Sequence, residues 1–268
     1  MTFRDLHIPG DPFVLANAWD IGSAKILAAL GAEAIATSSA AQAFTLGRPD
    51  GGTITRDEAL AHAQDLIAAV NVPVFGDFEN GFGHDPETVA ETVRLSAEAG
   101  LAGISIEDAA LPEDHAYDFD LAVERIQAAA AAARKLPQDF VLVARADGIM
   151  NGHYDIDEAL RRIRAFDNAG ADCLYVPLPK TIDDLNAVFS ATEKPVNVLM
   201  AGLYAGYSRS EFAKMGAARL SLGSALARTT HKTLFDAAKA ILDGGDFSML
   251  KNALPGDVTD GLLEKGSR

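Results

Sequence analysis

The chain has 268 residues, with 23 Lys and Arg against 38 Asp and Glu, a formal charge of −15. An apolar fraction of 49% excludes disorder along its whole length, and the acidity, with no basic tract, argues against nucleic acid or an anionic membrane as partner. The single cysteine, Cys173, excludes an internal disulfide and a thiolate metal cluster; residues 1–12 lack a signal-peptide pattern, and no apolar run reaches ~18 residues, so a soluble, cytoplasmic protein is expected.

Short apolar runs alternate with longer Ala-rich amphipathic segments. The runs are 13–18, 32–39, 72–79, 102–108, 140–147, 172–177, 195–200 and 218–223. Helical patterns follow them at 21–30, 55–70, 86–99, 119–134, 155–169, 181–190, 208–215 and 224–242. The runs are continuously apolar, which marks strands buried on both faces of a parallel sheet. Eight β-then-α units without a dividing linker predict a single-domain α/β fold, a (β/α)8 TIM barrel over 1–242. No GxGxxG follows the first run, which disfavours an open dinucleotide-binding sheet. Residues 243–268 turn polar and glycine-containing and read as a loosely packed tail.

Acids interrupt the apolar runs at their C-terminal ends: GDFENG after the third, IED after the fourth, ARAD after the fifth. That is the barrel face on which active sites are built. Asp77 and Glu79 are two residues apart and share one side of a strand, with Glu107 and Asp108, then Arg145 and Asp147, at the next strand ends. Carboxylates gathered on strands ~4.8 Å apart repel one another. A hard divalent cation resolves the repulsion, and oxygen-only ligation favours Mg2+ or Mn2+. Taken singly, Asp20 and Asp108 read as a helix cap or an ion-pair partner.

Four segments, TSSAAQAFTLGRPD (37–50), GDFENGFG (76–83), GISIED (103–108) and ARADG (144–148), occur in the order and spacing of one family. Over about residues 13–240 the chain resembles the isocitrate lyase/phosphoenolpyruvate mutase superfamily. The resemblance implies Mg2+ and a 2-oxo acid or small dicarboxylate, with a bond made or broken next to the carbonyl. Asp77 is then the direct metal ligand, Glu79 stands where a second acid is usually Asp, and Glu107 and Asp50 hold metal-bound waters. Arg145 binds the anionic end of the substrate, and Ser38, Ser39 and Ala40 match the segment that cradles its carboxylate. Trp19, after the first run, is a possible substrate contact. The resemblance also implies a homodimer or homotetramer in which the eighth helix packs on a neighbouring barrel.

The chain departs from the lyase pattern after the fourth run. His115 stands where lyases carry a proton-donating cysteine and phosphonomutases an asparagine, and Glu113 where a lysine is expected. Leu199 and Pro177 replace the Asn and Glu of many relatives. The expected chemistry is metal-dependent C–C cleavage, by decarboxylation or retro-aldol reaction, with His115 as a proton donor near neutral pH. The alternatives are phosphonomutase-type P–C chemistry, a Schiff-base aldolase using Lys180, a phosphate-ligand barrel using AGLYAGYS and SLGSA, and a non-catalytic binding barrel. Cys173 reads as core, and Tyr204 and Tyr207 are evenly balanced between pocket lining and loop structure.

Overall fold

A computed structural model describes residues 2–267. Eight parallel strands close a barrel: Phe13–Asn17, Ile35–Ala36, Val74–Asp77, Gly103–Glu107, Val141–Arg145, Cys173–Tyr175, Val196–Leu199 and Arg219–Ser221. Each pairs with its sequence neighbour, and the eighth pairs with the first through Phe13↔Arg219 and Leu15↔Ser221. The expected (β/α)8 barrel is therefore present.

The two-residue alternation of a strand decides what faces the axis. In the fifth strand Leu142 and Ala144 pack outward against the helices, while Val141 and Val143 join Phe13, Leu15, Phe75, Cys173 and Tyr175 inside. Arg145 has the inward parity of Val141 and Val143, so the sequence places its guanidinium over the barrel axis. The same parity carries Phe75 to Asp77 and Ser105 to Glu107. Helices begin where side-chain caps satisfy their first N–H groups: Asp20 with Ser23, Thr55 with Glu58, Thr181 with Asp184 and Ser208 with Glu211.

The N-terminal segment closes the other end of the barrel. Phe3 and Leu6 are buried in the inner cluster, and His7 packs edge-on to Phe3 and Phe13. Arg4 fixes this plug by donating to Asp139 and Asp172 at 2.7 Å each and to the Phe140 carbonyl at 2.8 Å.

Several elements differ from the sequence reading. The second strand is only two residues long because Ser38 turns the chain and caps a helix, Ser39–Thr45, where a loop was expected. A hairpin pairs Ala109–Ala110 with His115–Ala116. The last barrel helix spans Ala225–Gly244, and the expected loose tail instead contains a 3-10 turn, Ser248–Asn252, and a helix, Gly256–Lys265. That final helix lies against Ile21–Ala29, so closely that a Cβ on Gly266 would stand 1.8 Å from the Lys25 carbonyl oxygen. Pro255 precedes this helix at the N-cap, with no side-chain hydrogen bond to cap it. No helix among the described residues is long and apolar enough to cross a membrane.

Candidate active site

The strand ends assemble a charged cluster at the C-terminal mouth of the barrel. Arg145 sits at its centre, donating from Nη1 to Asp77 Oδ1 at 2.7 Å and lying 3.0 Å from Glu107 Oε2. Asp147 grips the same guanidinium from behind: Nε donates to Oδ1 at 3.0 Å and Nη2 to Oδ2 at 2.6 Å. This two-point geometry fixes the plane of the guanidinium. Asp147 is itself fixed, because its backbone N–H donates to Asp108 Oδ1 at 2.8 Å. Asp108 Oδ2 accepts from Tyr154 at 2.7 Å and Arg162 at 2.9 Å. Asp108 is thus the buried ion-pair partner that its sequence position allowed, and Asp20 is a helix cap.

Asp77 is held from two sides. Its Oδ2 accepts from the N–H and the hydroxyl of Ser39, both at 3.0 Å, and its Oδ1 also accepts from Ser105 Oγ at 3.3 Å. The segment expected to cradle a substrate carboxylate therefore receives the chain's own carboxylate: Ser38 caps the helix, Ser39 binds Asp77 and Ala40 is buried.

Burial works against the remaining acids. It pushes Glu79 up to about 7 and raises the Glu107 carboxyl well above the ordinary range, although Arg145 is 3.0 Å away. Arg145 stays charged against its own desolvation because Asp147, Glu107 and Asp77 surround it. The cluster holds more carboxylate than one guanidinium offsets, an excess that suits a hard divalent cation. Among the described residues no three His, Cys, Asp or Glu side chains converge as a ready-made cage. Mg2+ does not need one, since it is commonly carried by one or two carboxylates and keeps much of its water.

The expected trio of Asp77, Glu79 and Glu107 divides. Asp77 and Glu107 face Arg145, whereas the Glu79 Oε1 atom accepts the Gly52 N–H at 3.1 Å. Asp50 is exposed on that same loop, its Oδ1 accepting the Gly51 N–H at 2.8 Å. Trp19 is half-buried beyond the first strand and does not line the chamber beneath Arg145. His115 lies exposed on the hairpin with Nδ1 3.0 Å from the Ala116 carbonyl; no hydrogen bond or ion pair among the described residues joins it to the cluster. Lys180 is exposed in the loop past the sixth strand, Cys173 is core, and Tyr204 is a loop brace donating to the Pro179 carbonyl at 2.7 Å.

Two cavities flank the cluster. A chamber of about 40 Å3 beneath it is lined by Asp77, Arg145, Ser105, Tyr175, Ser221 and Arg219. Arg219 escaped the sequence reading, which placed it in the eighth run without a role. It is buried, donates from Nε to Asn197 at 2.9 Å, and its Nη1 has no partner among the described residues. A larger cavity of about 500 Å3 opens beside Glu79, between Gly52–Asp57, Glu79–His84 and Leu111–Pro112.

The matches with known proteins cover the whole architecture. The family model of phosphoenolpyruvate phosphomutase matches residues 3–242. An oxaloacetate decarboxylase of Paraburkholderia xenovorans is 30% identical over 96% of this chain and 85% of its own length. An uncharacterised protein of Mycobacterium tuberculosis is 35% identical over 91% of this chain and 90% of its own. The crystal structure of a lyase/mutase candidate from Burkholderia cenocepacia J2315 superposes with a TM-score of 0.92 at 44% identity, covering 97% of this chain and 93% of that one. The chain belongs to the phosphoenolpyruvate phosphomutase family, within the isocitrate lyase/phosphoenolpyruvate mutase superfamily.

Proposed function

We propose that this chain is a divalent-metal-dependent lyase that breaks a C–C bond next to the carbonyl of a small 2-oxo or 2-hydroxy diacid. The observation that carries the reading is the Asp77–Arg145–Glu107 cluster at the barrel mouth, in which one guanidinium is shared by three carboxylates counting Asp147. Oxaloacetate heads the substrate class, because the near-full-length relative from Paraburkholderia xenovorans is an oxaloacetate decarboxylase.

Asp77 and Glu107 would hold Mg2+ or Mn2+. When bound, the cation supplies Lewis-acid stabilisation of the negative charge that develops on the carbonyl oxygen. Arg145, its Nε and Nη2 held by Asp147, supplies the fixed positive charge that orients a substrate carboxylate. Ser39 positions Asp77 through two hydrogen bonds, so the carboxylate does not reorganise as the reaction proceeds. The buried cluster keeps water away from these charges and strengthens each interaction.

The test is a panel of oxaloacetate, dimethylmalate, methylisocitrate and phosphonopyruvate with Mg2+, followed by pyruvate detection. Metal-dependent release from a C–C substrate is expected. Undiminished turnover after EDTA treatment removes the proposal, and turnover of phosphonopyruvate alone replaces it with P–C chemistry.

A further inference from the structure

Glu79 occupies the position of a second metal-cluster acid, yet its side chain is engaged elsewhere. It is 3% exposed, its backbone adopts φ +46°, and Oε1 accepts the Gly52 N–H at 3.1 Å. Gly52 has φ +72°, and a Cβ there would lie 2.9 Å from Pro112 Cα. Only glycine permits both the left-handed backbone and the close approach. The contact series Glu79–Gly52–Pro112 thereby joins the loops that follow the third, second and fourth strands. Asp50 lies two residues before Gly52 on the same loop, and Gly52, Glu79 and Pro112 all border the 500 Å3 cavity. Asp77 and Glu107, in contrast, both face Arg145.

We propose that Glu79 is a positioning residue: its carboxylate latches the 47–53 loop, with Asp50, against the barrel rim and the Pro112 wall, and it is not a ligand of the divalent cation. The cation itself belongs to the lyase reading; the latch does not depend on it.

Side-chain length and charge separate the two roles. Aspartate is shorter by one C–C bond, about 1.5 Å, which takes its oxygen out of reach of the Gly52 N–H. Glutamine keeps the length and an acceptor oxygen but loses the negative charge. A latch therefore tolerates Glu79→Gln and fails with Glu79→Asp, while a metal-cluster acid shows the reverse order.

The experiment compares both variants of the full chain with wild type by hydrogen exchange of the 48–53 amides and by Mn2+ titration. Glu79→Asp is expected to speed exchange in that loop about tenfold, the effect of losing one such hydrogen bond. Glu79→Gln keeps exchange near wild type, and all three proteins bind Mn2+ within about threefold of one another. Gly52→Ala, which drives the loop off Pro112 with Glu79 intact, should loosen the loop in the same way and serves if a Glu79 variant does not fold. Weakening of Mn2+ tenfold or more in Glu79→Gln, with Glu79→Asp unaffected, overturns the proposal. So does unchanged loop exchange in Glu79→Asp. If wild type binds Mn2+ but consumes no 2-oxo acid, the lyase reading fails alone, since exchange and titration still decide the latch.

Discussion

Arg145 ends a strand whose inward residues are otherwise valines, and that parity alone brings a guanidinium to the barrel axis. Asp77 and Glu107 were legible for the same reason: acids at the C-terminal ends of apolar runs have few other places to point. Glu79 was legible as an acid of the mouth but not as a bond to Gly52, because its left-handed backbone turns the side chain in a way that no spacing rule encodes. Behind Arg145, Asp147 accepts from its guanidinium and Arg162 pairs with Asp108. Asp108 is 1% exposed and Arg162 6%, and their 2.9 Å pair anchors the N–H of Asp147, which in turn aims Arg145. Arg162→Met leaves a buried carboxylate without its cation. It is expected to cost about 3–5 kcal/mol in urea unfolding, whereas Asp108→Asn combined with Arg162→Met should cost less than the two single changes together. Strict additivity of the singles contradicts a coupled pair.

At the scale of elements, every barrel strand and the helix that follows each one are visible in the alternation of apolar runs and amphipathic segments, whereas the helix Gly256–Lys265 is hidden by its polar composition. The short pieces were not. Ser39–Thr45 and the Ala109–Ala116 hairpin are too brief for periodicity to register. The N-terminal plug was also invisible, since MTFRDLHIPG carries no repeating pattern; tertiary burial of Phe3, Leu6 and His7 gives it structure. Its pH response follows from that burial. Desolvation, with Arg219 nearby, lowers His7 to about 3 from an unperturbed value near 6.5. Between those values the unfolded chain binds a proton that the folded chain does not, so stability is lost as pH falls from about 6.5 toward 3. His7→Phe, which retains the packing with Phe3 and Phe13, should abolish about 2 kcal/mol of the stability difference between pH 7 and pH 5. Equal pH slopes for the two proteins in chemical denaturation contradict this.

The whole molecule is a closed cylinder sealed at one end by its own N-terminus and charged at the other. Closure leaves the barrel no sheet edge, and apart from the chamber of about 40 Å3 beneath Arg145 the inner core is packed with Phe13, Phe75, Val143 and Tyr175. One helix is largely bare. The 20-residue helix Ala225–Gly244 buries only Ala227, and Leu234, Phe235 and Leu242 are exposed on it, on the element through which the resemblance implies self-association. The sequence indicated this helix but not its bareness, because an amphipathic pattern does not say whether the apolar stripe meets its own barrel or another. The proposed lyase chemistry depends on a divalent cation carried by Asp77. Mn2+ titration of wild type and Asp77→Ala in the presence of oxalate, read by the loss of the free-ion paramagnetic signal, addresses this directly. Saturable binding at one site in wild type and affinity weaker by at least about a hundredfold in Asp77→Ala is the predicted result; equal binding by the two folded proteins contradicts it.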